Sequence, residues 1–149
     1  MNREEAGKKG RIFIADDEVE VIDLVQMALG MEGYEVLSAL NGEDALAQIR
    51  EQKPDLVLLD VHMPKMNGLD VLTHLQDDPA TARIPIIVLS VATTYPDVQK
   101  ALQRGAVAYL PKPFGIREMS RQVARILAMD EAQREAYRRQ ALTSLGATW

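Results

Sequence analysis

The chain has 149 residues, no cysteine and a formal net charge of −5. This length suits one compact domain, and the absence of cysteine excludes disulfides and thiolate metal sites. The acidic balance argues against direct binding to nucleic acid or to an anionic membrane, and the lack of a signal-peptide core or of an apolar run of ~20 residues predicts a cytoplasmic protein.

Five short apolar runs, rich in β-branched residues, alternate with segments of helical periodicity. Runs of this length bounded by turn residues predict strands, and their continuous apolarity predicts burial on both faces of a sheet. The predicted strands are 12–15, 35–38, 56–59, 86–89 and 106–110. The apolar stripes of the five helices begin at Val21, Ala45, Val71, Val98 and Ile116.

Capping and helix-ending residues support these boundaries. Asn41 can cap the second helix, with Asp44 three residues later, and Gly105 ends the fourth helix. Five βα units in series predict an α/β fold of the (βα)5 type, a doubly wound, five-stranded parallel sheet with helices on both faces. Ligands of such folds bind at the carboxyl ends of the strands.

The C-terminal segment does not fit a sixth βα unit. Asp130 with Arg134, and Glu135 with Arg139, have the i, i+4 spacing that favours an exposed helix. We expect this helical tail to extend the fifth helix. The predicted division is a polar N-terminal extension at 1–10, the βα domain at 11–128 and the helical tail at 129–149.

Charged and polar side chains follow four of the five predicted strands. Asp16 and Asp17 follow the first strand, Asp60 the third, Ser90 the fourth and Lys112 the fifth. Each alone has an ordinary explanation as a helix cap, a turn former or a solvated cation. In the predicted fold, however, they converge in one crevice, where clustered carboxylates repel one another unless a cation holds them.

The cation that suits these side chains is hard and oxygen-seeking. Carboxylates without cysteine or paired histidines favour Mg²⁺ over Zn²⁺. Lys112 adds a second positive charge and Ser90 a hydrogen-bond donor. These are the groups that phosphoryl transfer needs, and a carboxylate can be its nucleophile, which gives an acyl phosphate.

Four motifs, taken in order, resemble the receiver domain of response regulators in two-component phosphorelay systems. They are IFIADDE (12–18), LVLLDVHMPKMNG (56–68), IIVLS (86–90) and GAVAYLPKPF (105–114). The resemblance runs from 11 to 127, about four-fifths of the chain. It implies the CheY-like, flavodoxin-like fold and a signalling switch rather than an enzyme, one that promotes its own aspartyl phosphorylation and dephosphorylation.

The resemblance also implies a phosphoacceptor and a magnesium site. Asp60 would accept the phosphoryl group. Mg²⁺ would be bound directly by Asp17 and Asp60, and by Asp16 directly or through water. The backbone carbonyl of His62 would complete the protein ligands.

The remaining matched residues would form the switch. Ser90 and Lys112 would hold the phosphoryl oxygens, and Tyr109 would be the aromatic that turns inward when Ser90 moves toward the phosphate. The peptide bond before Pro113 is cis in this family. The implied partners are a histidine kinase or a histidine phosphotransfer protein, and a downstream protein that binds the surface of the fourth helix, fifth strand and fifth helix. A homodimer remains open, and no contact with nucleic acid or membrane is expected.

Several residues bear on how this chain differs within the family. Val91 replaces the usual small residue after the switch hydroxyl, which predicts slow exchange with small phosphodonors. His62 and Ala92 fall where the family tunes dephosphorylation, and for His62 we favour an exposed spectator over a side chain that acts on the attacking water. Val107 and Ala108 stand where many DNA-binding members carry acidic residues, which suggests a different partner surface.

Three other interpretations compete with a stand-alone receiver, which we prefer. The chain could be a receiver excised from a hybrid kinase or from a regulator with an output domain. A magnesium-dependent phosphatase is disfavoured, because His62 stands where such enzymes carry a second aspartate. A receiver-like fold that is never phosphorylated is disfavoured by the full set of acceptor residues.

Overall fold

The computed structural model describes residues 9–91 and 95–148, and confirms the predicted doubly wound parallel sheet. The strands lie in the order β2-β1-β3-β4-β5. They are β1 (Arg11–Ala15), β2 (Glu35–Ala39), β3 (Leu56–Asp60), β4 (Ile86–Val91) and β5 (Ala108–Lys112). The helices are α1 (Val19–Met31), α2 (Gly42–Gln52), α3 (Gly68–Asp77), α4 (Tyr95–Gln103), α5 (Ile116–Leu127) and α6 (Glu131–Thr148).

Two apolar clusters sandwich the sheet, one on each face. Alternate residues of a strand point to opposite faces, so Ile12 and Ile14 pack with α1 and α5, whereas Phe13 and Ala15 pack with α2, α3 and α4. We call these the α1/α5 side and the α2–α4 side. β3 is buried along its whole length, because helices cover both of its faces.

Polar caps fix where the helices begin. Asn41 caps α2, accepting a hydrogen bond from the Asp44 N–H at 2.9 Å, as the sequence predicted. Asn67 caps α3 in the same way through the Asp70 N–H at 2.9 Å. Each cap satisfies one N–H that has no partner within its helix.

The fifth strand lies two residues later than predicted. Ala106 and Val107 are buried, and their apolarity made them resemble the start of the strand. The ladder to β4 instead runs from Ala108, paired with Ile87, to Lys112, paired with Val91. Lys112 is therefore the last residue of the strand rather than a loop residue.

The C-terminal tail is helical, as predicted, but it does not extend the fifth helix. α5 ends at Leu127, and Asp130 starts a new helix by accepting a hydrogen bond from the Gln133 N–H at 2.8 Å. The Gln133 side chain accepts one in return from the Asp130 N–H at 2.9 Å. This reciprocal capping box lets α6 turn back onto the domain, where Leu145 is 5% exposed.

Candidate functional site

The strand order places a crevice between β1 and β3. β2 lies on one side of β1 and β3 on the other, so the chain winds in opposite directions from this point and leaves a gap above the strand ends. Asp16 directly follows β1, and Asp60 is the last residue of β3. The crevice is therefore lined by the two carboxylates that the sequence placed there.

A buried ion cluster fills the crevice. Asp16 is 0% exposed and Asp60 is 6% exposed. The Lys112 ammonium nitrogen lies 2.7 Å from Asp16 Oδ2 and 3.2 Å from Asp60 Oδ2. It also lies 3.5 Å from the exposed Glu18 carboxylate. One ammonium therefore faces two buried carboxylates and one exposed carboxylate, and its single charge cannot neutralise them all.

The charge imbalance changes the acidity of the cluster. Burial, and after it the negative charge of Asp16, raise the pKa of Asp60 to about 6, although Lys112 and the His62 N–H act to lower it. Burial also raises the pKa of Asp16. Burial opposes the charge on Lys112, but the hydrogen bond with Asp16 and the charge of Asp60 raise its pKa overall. The cluster thus carries more negative charge than the Lys112 ammonium can neutralise.

The carboxylates around the cluster offer only oxygen ligands. Asp16, Asp17 and Glu18 place one carboxylate oxygen each within 4.8 Å of one another, and the last two side chains are exposed. A set of this kind fits a hard divalent cation such as Mg²⁺, which retains several waters and needs few protein ligands. Such a cation would supply the positive charge that the buried carboxylates lack.

Ser90 and Tyr109 lie on the neighbouring strands β4 and β5, and Ala92 lies outside the described residues. Ser90 is 3% exposed on β4, next to the residue that pairs with Asp60, and its hydroxyl donates to the Val91 carbonyl at 3.0 Å. Tyr109 is half-buried on β5, against the apolar cluster on the α2–α4 side. The Lys112–Pro113 peptide bond is cis, as expected.

A family model described as "Response regulator receiver domain" matches residues 12–124. The chain belongs to this family. Receiver domains of response regulators are signalling switches, and this receiver domain has their five-stranded parallel fold. Within the described ranges, 9–91 and 95–148, no helix is both long and apolar enough to cross a membrane.

The curated relatives are regulators about twice as long as this chain. The transcriptional regulatory protein CpxR of Klebsiella pneumoniae is 44% identical over 119 residues, 80% of this chain and 48% of that protein. The alkaline phosphatase synthesis transcriptional regulatory protein PhoP of Bacillus subtilis is 36% identical over 121 residues, 81% of this chain and 50% of that protein. The chain spans about half the length of the curated relatives it matches.

Solved structures of similar proteins include single domains of this fold. The chemotaxis response regulator CheY4 of Vibrio cholerae is 28% identical with a TM-score of 0.73, over 78% of this chain and 97% of that one. The receiver domain of NtrX from Brucella abortus is 30% identical with a TM-score of 0.74, over 80% of this chain and 99% of that one. A fifth or more of this chain lies outside the matched region in both comparisons.

Two residues of the receiver site escaped the sequence analysis. Glu18 approaches Lys112 and belongs to the acidic cluster, but an acid just before a helix is also typical of a favourable helix start. Asp97, on α4, places its Oδ2 3.4 Å from Nε2 of the 60%-exposed His62 ring. No local sequence pattern predicts that pair, because it joins a loop residue to a helix residue that is distant in sequence.

The loop after Asp60 is held by a close backbone approach. The Gly68 N–H donates to the Val61 carbonyl at 2.7 Å. A Cβ on Gly68 would lie 2.1 Å from the Asp60 carbonyl oxygen, so no larger residue fits there without moving the loop. The His62 N–H donates to Asp60 Oδ1 at 3.2 Å, which orients the carboxylate from the same loop.

Proposed function

We propose that this receiver domain is a phosphorylation-operated switch in which Asp60 accepts a phosphoryl group from a phosphohistidine. The donor is a histidine kinase or a histidine phosphotransfer protein. The observation that carries the proposal is the buried Asp60 carboxylate, 6% exposed, with the Lys112 ammonium 3.2 Å away in an otherwise acidic crevice. A carboxylate so placed is a nucleophile beside a cation that can stabilise the charge of a transferring phosphoryl group.

The transfer forms one bond and breaks one. An Asp60 carboxylate oxygen attacks phosphorus while the phosphorus–nitrogen bond of phosphohistidine breaks, and the imidazole leaves with the electron pair of that bond. Lys112 and the Ser90 hydroxyl hold the phosphoryl oxygens, Lys112 by charge and Ser90 by donating a hydrogen bond. The product is an acyl phosphate on Asp60, which water later hydrolyses.

A divalent cation fits this site, because its donor set is all oxygen and its buried carboxylates outnumber the ammonium. The carboxylates of Asp16, Asp17 and Asp60 and the backbone carbonyl of His62 would hold Mg²⁺. When bound, Mg²⁺ offsets the negative charge that accumulates as the phosphoryl group approaches the Asp60 carboxylate. Glu18, which belongs to the same cluster, is a candidate to bind the cation through water.

The ionisation of Asp60 sets a lower pH limit for the switch. Only the ionised carboxylate is a good nucleophile, and the pKa of Asp60 is about 6 because of its burial and the charge of Asp16. Phosphorylation should therefore slow as the pH falls through about 6. A bound cation favours the ionised form and moves this limit to lower pH.

The output is a protein contact made by α4, β5 and α5, which we call the α4–β5–α5 face. Ser90 and Lys112 lie near the ends of the paired strands β4 and β5, and Tyr109 lies three residues before Lys112 on the same edge strand. Contacts to the phosphate re-pack Ser90 and Tyr109 and so bias the domain toward a second arrangement of this face. Such a switch is a shift between two populations, driven by contacts made in only one of them.

The test is an intact-mass measurement. The protein is incubated with Mg²⁺ and a small phosphodonor such as acetyl phosphate, beside Asp60→Asn and the exposed control Asp23→Asn. We expect the mass of one phosphoryl group on the wild type and on the control, and none on Asp60→Asn. If the wild type gains no mass even with a kinase, binding of beryllofluoride is measured by fluorine NMR; failure of both would refute the proposal.

A further inference from the structure

α6 lies across the α4–β5–α5 face and bonds to both helices of that face. The Arg138 guanidinium donates to the Leu102 carbonyl near the end of α4 at 2.7 Å. The Arg134 guanidinium donates to the Ile126 carbonyl near the end of α5 at 3.1 Å. Last-turn carbonyls carry the negative end of a helix dipole and have no partner within their helix, so both arginines bind where a cation is favoured.

Apolar contacts complete the docking of α6 on both sides of the edge strand. Leu145 is 5% exposed within the apolar cluster of the α2–α4 side, and Ala141 and Leu142 pack beside it. Tyr137 packs against the cluster of the α1/α5 side, and its hydroxyl donates to the Gln122 side chain of α5 at 3.3 Å. α6 thus covers the open edge of β5, which has only β4 as a strand partner.

The docking is weaker than that of the helices beneath it. α5 buries Met119, Val123 and Ile126 fully, whereas Leu145, at 5% exposure, is the one buried large side chain of α6 among the described residues. Most of the stability of a helix in a protein comes from tertiary packing of its apolar face. Elements with few buried apolar contacts open at low free energy while the remainder of a domain stays folded.

The predicted switch aromatic lies in the cleft beside α6. Tyr109, Tyr137 and Ala141 line one cleft of about 370 Å³ between β5, α5 and α6. A change in the position of the Tyr109 ring therefore changes the surface on which α6 rests. The path from the acceptor crevice to α6 is short, since Lys112 and Tyr109 lie on the same strand.

We infer that the α4–β5–α5 face is a binding surface for a helix, and that α6 is its occupant in cis in the unphosphorylated state. The partner that fits is a helix of the same kind, with an apolar stripe and an arginine that reaches the end of α4. Phosphorylation displaces α6 and so opens the face to that partner. This inference rests on the proposed function, because the displacement is driven by the phosphoryl group on Asp60.

The absence of cysteine makes the movement of α6 directly measurable. Two cysteines, Glu51→Cys on α2 and Thr143→Cys on α6, replace exposed residues and carry spin labels. Distances between the labels are measured by pulsed electron paramagnetic resonance, with Mg²⁺ alone and with Mg²⁺ and beryllofluoride. Fluorine NMR reports whether beryllofluoride binds. We expect one distance population with Mg²⁺ alone and a second, longer one when beryllofluoride is bound.

The two possible failures differ in their readout. Bound beryllofluoride with an unchanged distance distribution would overturn the displacement of α6 and leave the phosphoacceptor function standing. If beryllofluoride does not bind and a phosphodonor adds no mass, both the displacement and the phosphoacceptor function would be overturned, because nothing would then drive the displacement.

A matched pair of arginine variants tests how α6 is held. Arg138 and Arg139 both pair with Glu135, but only Arg138 bonds to α4. Arg138→Ala should raise the displaced fraction without beryllofluoride roughly tenfold, the loss expected for one charged hydrogen bond, whereas Arg139→Ala should leave it unchanged. Equal fractions in the two variants would contradict the docking contact assigned to Arg138.

Discussion

The buried Asp60 carboxylate should lower the stability of the cation-free protein. Burial and the charge of Asp16 raise the pKa of Asp60 from 3.8 to about 6. Between these two values the folded state binds more protons than the unfolded state, so the free energy of unfolding falls as the pH rises through this window. A shift of roughly two pKa units corresponds to a loss of about 3 kcal/mol, complete above about pH 7.

Asp60→Asn removes this cost while it retains the shape of the side chain. We expect the cation-free variant to be more stable than the wild type by up to about 3 kcal/mol at pH 8, and by about half as much at pH 5, where Asp60 is largely protonated. Lys112 is not left unpaired by the change, because Asp16 remains 2.7 Å from its ammonium nitrogen. The gain therefore measures the charge of Asp60 rather than a lost ion pair.

The measurement is urea unfolding followed by circular dichroism, in chelator, at pH 5 and pH 8. Asp23→Asn, on the exposed face of α1, is the control and should change stability by less than about 0.5 kcal/mol. Saturating Mg²⁺ should then stabilise the wild type more than Asp60→Asn, because the cation offsets the charge that the variant lacks. A variant no more stable than the wild type at pH 8, or a gain that is equal at the two pH values, would refute this reasoning.

Three further predictions concern residues beside the acceptor. Gly68→Ala should lower the free energy of unfolding in urea by about 2–3 kcal/mol, because its Cβ would lie 2.1 Å from the Asp60 carbonyl oxygen. The control Gly30→Ala, with open space around it, should raise the free energy of unfolding by about 0.5–1 kcal/mol. Similar effects of the two variants would contradict the close approach at Gly68. Val91→Ala should speed phosphorylation by acetyl phosphate in a mass-based time course, and an unchanged rate would show that Val91 does not crowd the crevice. His62→Ala should leave the half-life of the phosphorylated protein unchanged, because the ring is 60% exposed; a severalfold change would assign it a role in hydrolysis.

The fold could be predicted because each local pattern had one main physical cause. Four apolar residues in a row at 56–59, followed by an aspartate, indicate a strand covered on both faces, and β3 is buried at every position. The convergence of Asp16, Asp60 and Lys112 followed from topology alone, since the carboxyl ends of parallel strands meet at one edge. The structure shows these three side chains in one ion cluster.

The remaining features depend on contacts that no local pattern encodes. Asp130 has the spacing of an i, i+4 partner for Arg134, but it caps a new helix, because the tail gains burial of Leu145 by turning back. The requirement for glycine at Gly68 arises from the carbonyl of Asp60, which folding brings into contact with it. In both cases the deciding contact forms only in the folded domain.

Because β5 is an edge strand, a structural change in the crevice would move β5 and α6 rather than be absorbed by the core. β5 pairs with β4 alone, so its movement is resisted by one ladder, whereas β3 is held by two. Its last residue, Lys112, contacts Asp60, and Tyr109 lines the cleft beneath α6. β5 therefore joins Asp60 to a helix that buries one large side chain among the described residues. Lengthening the apolar stripe of α6 should therefore hold α6 more strongly on the domain and reduce the fraction of molecules in which phosphorylation displaces it.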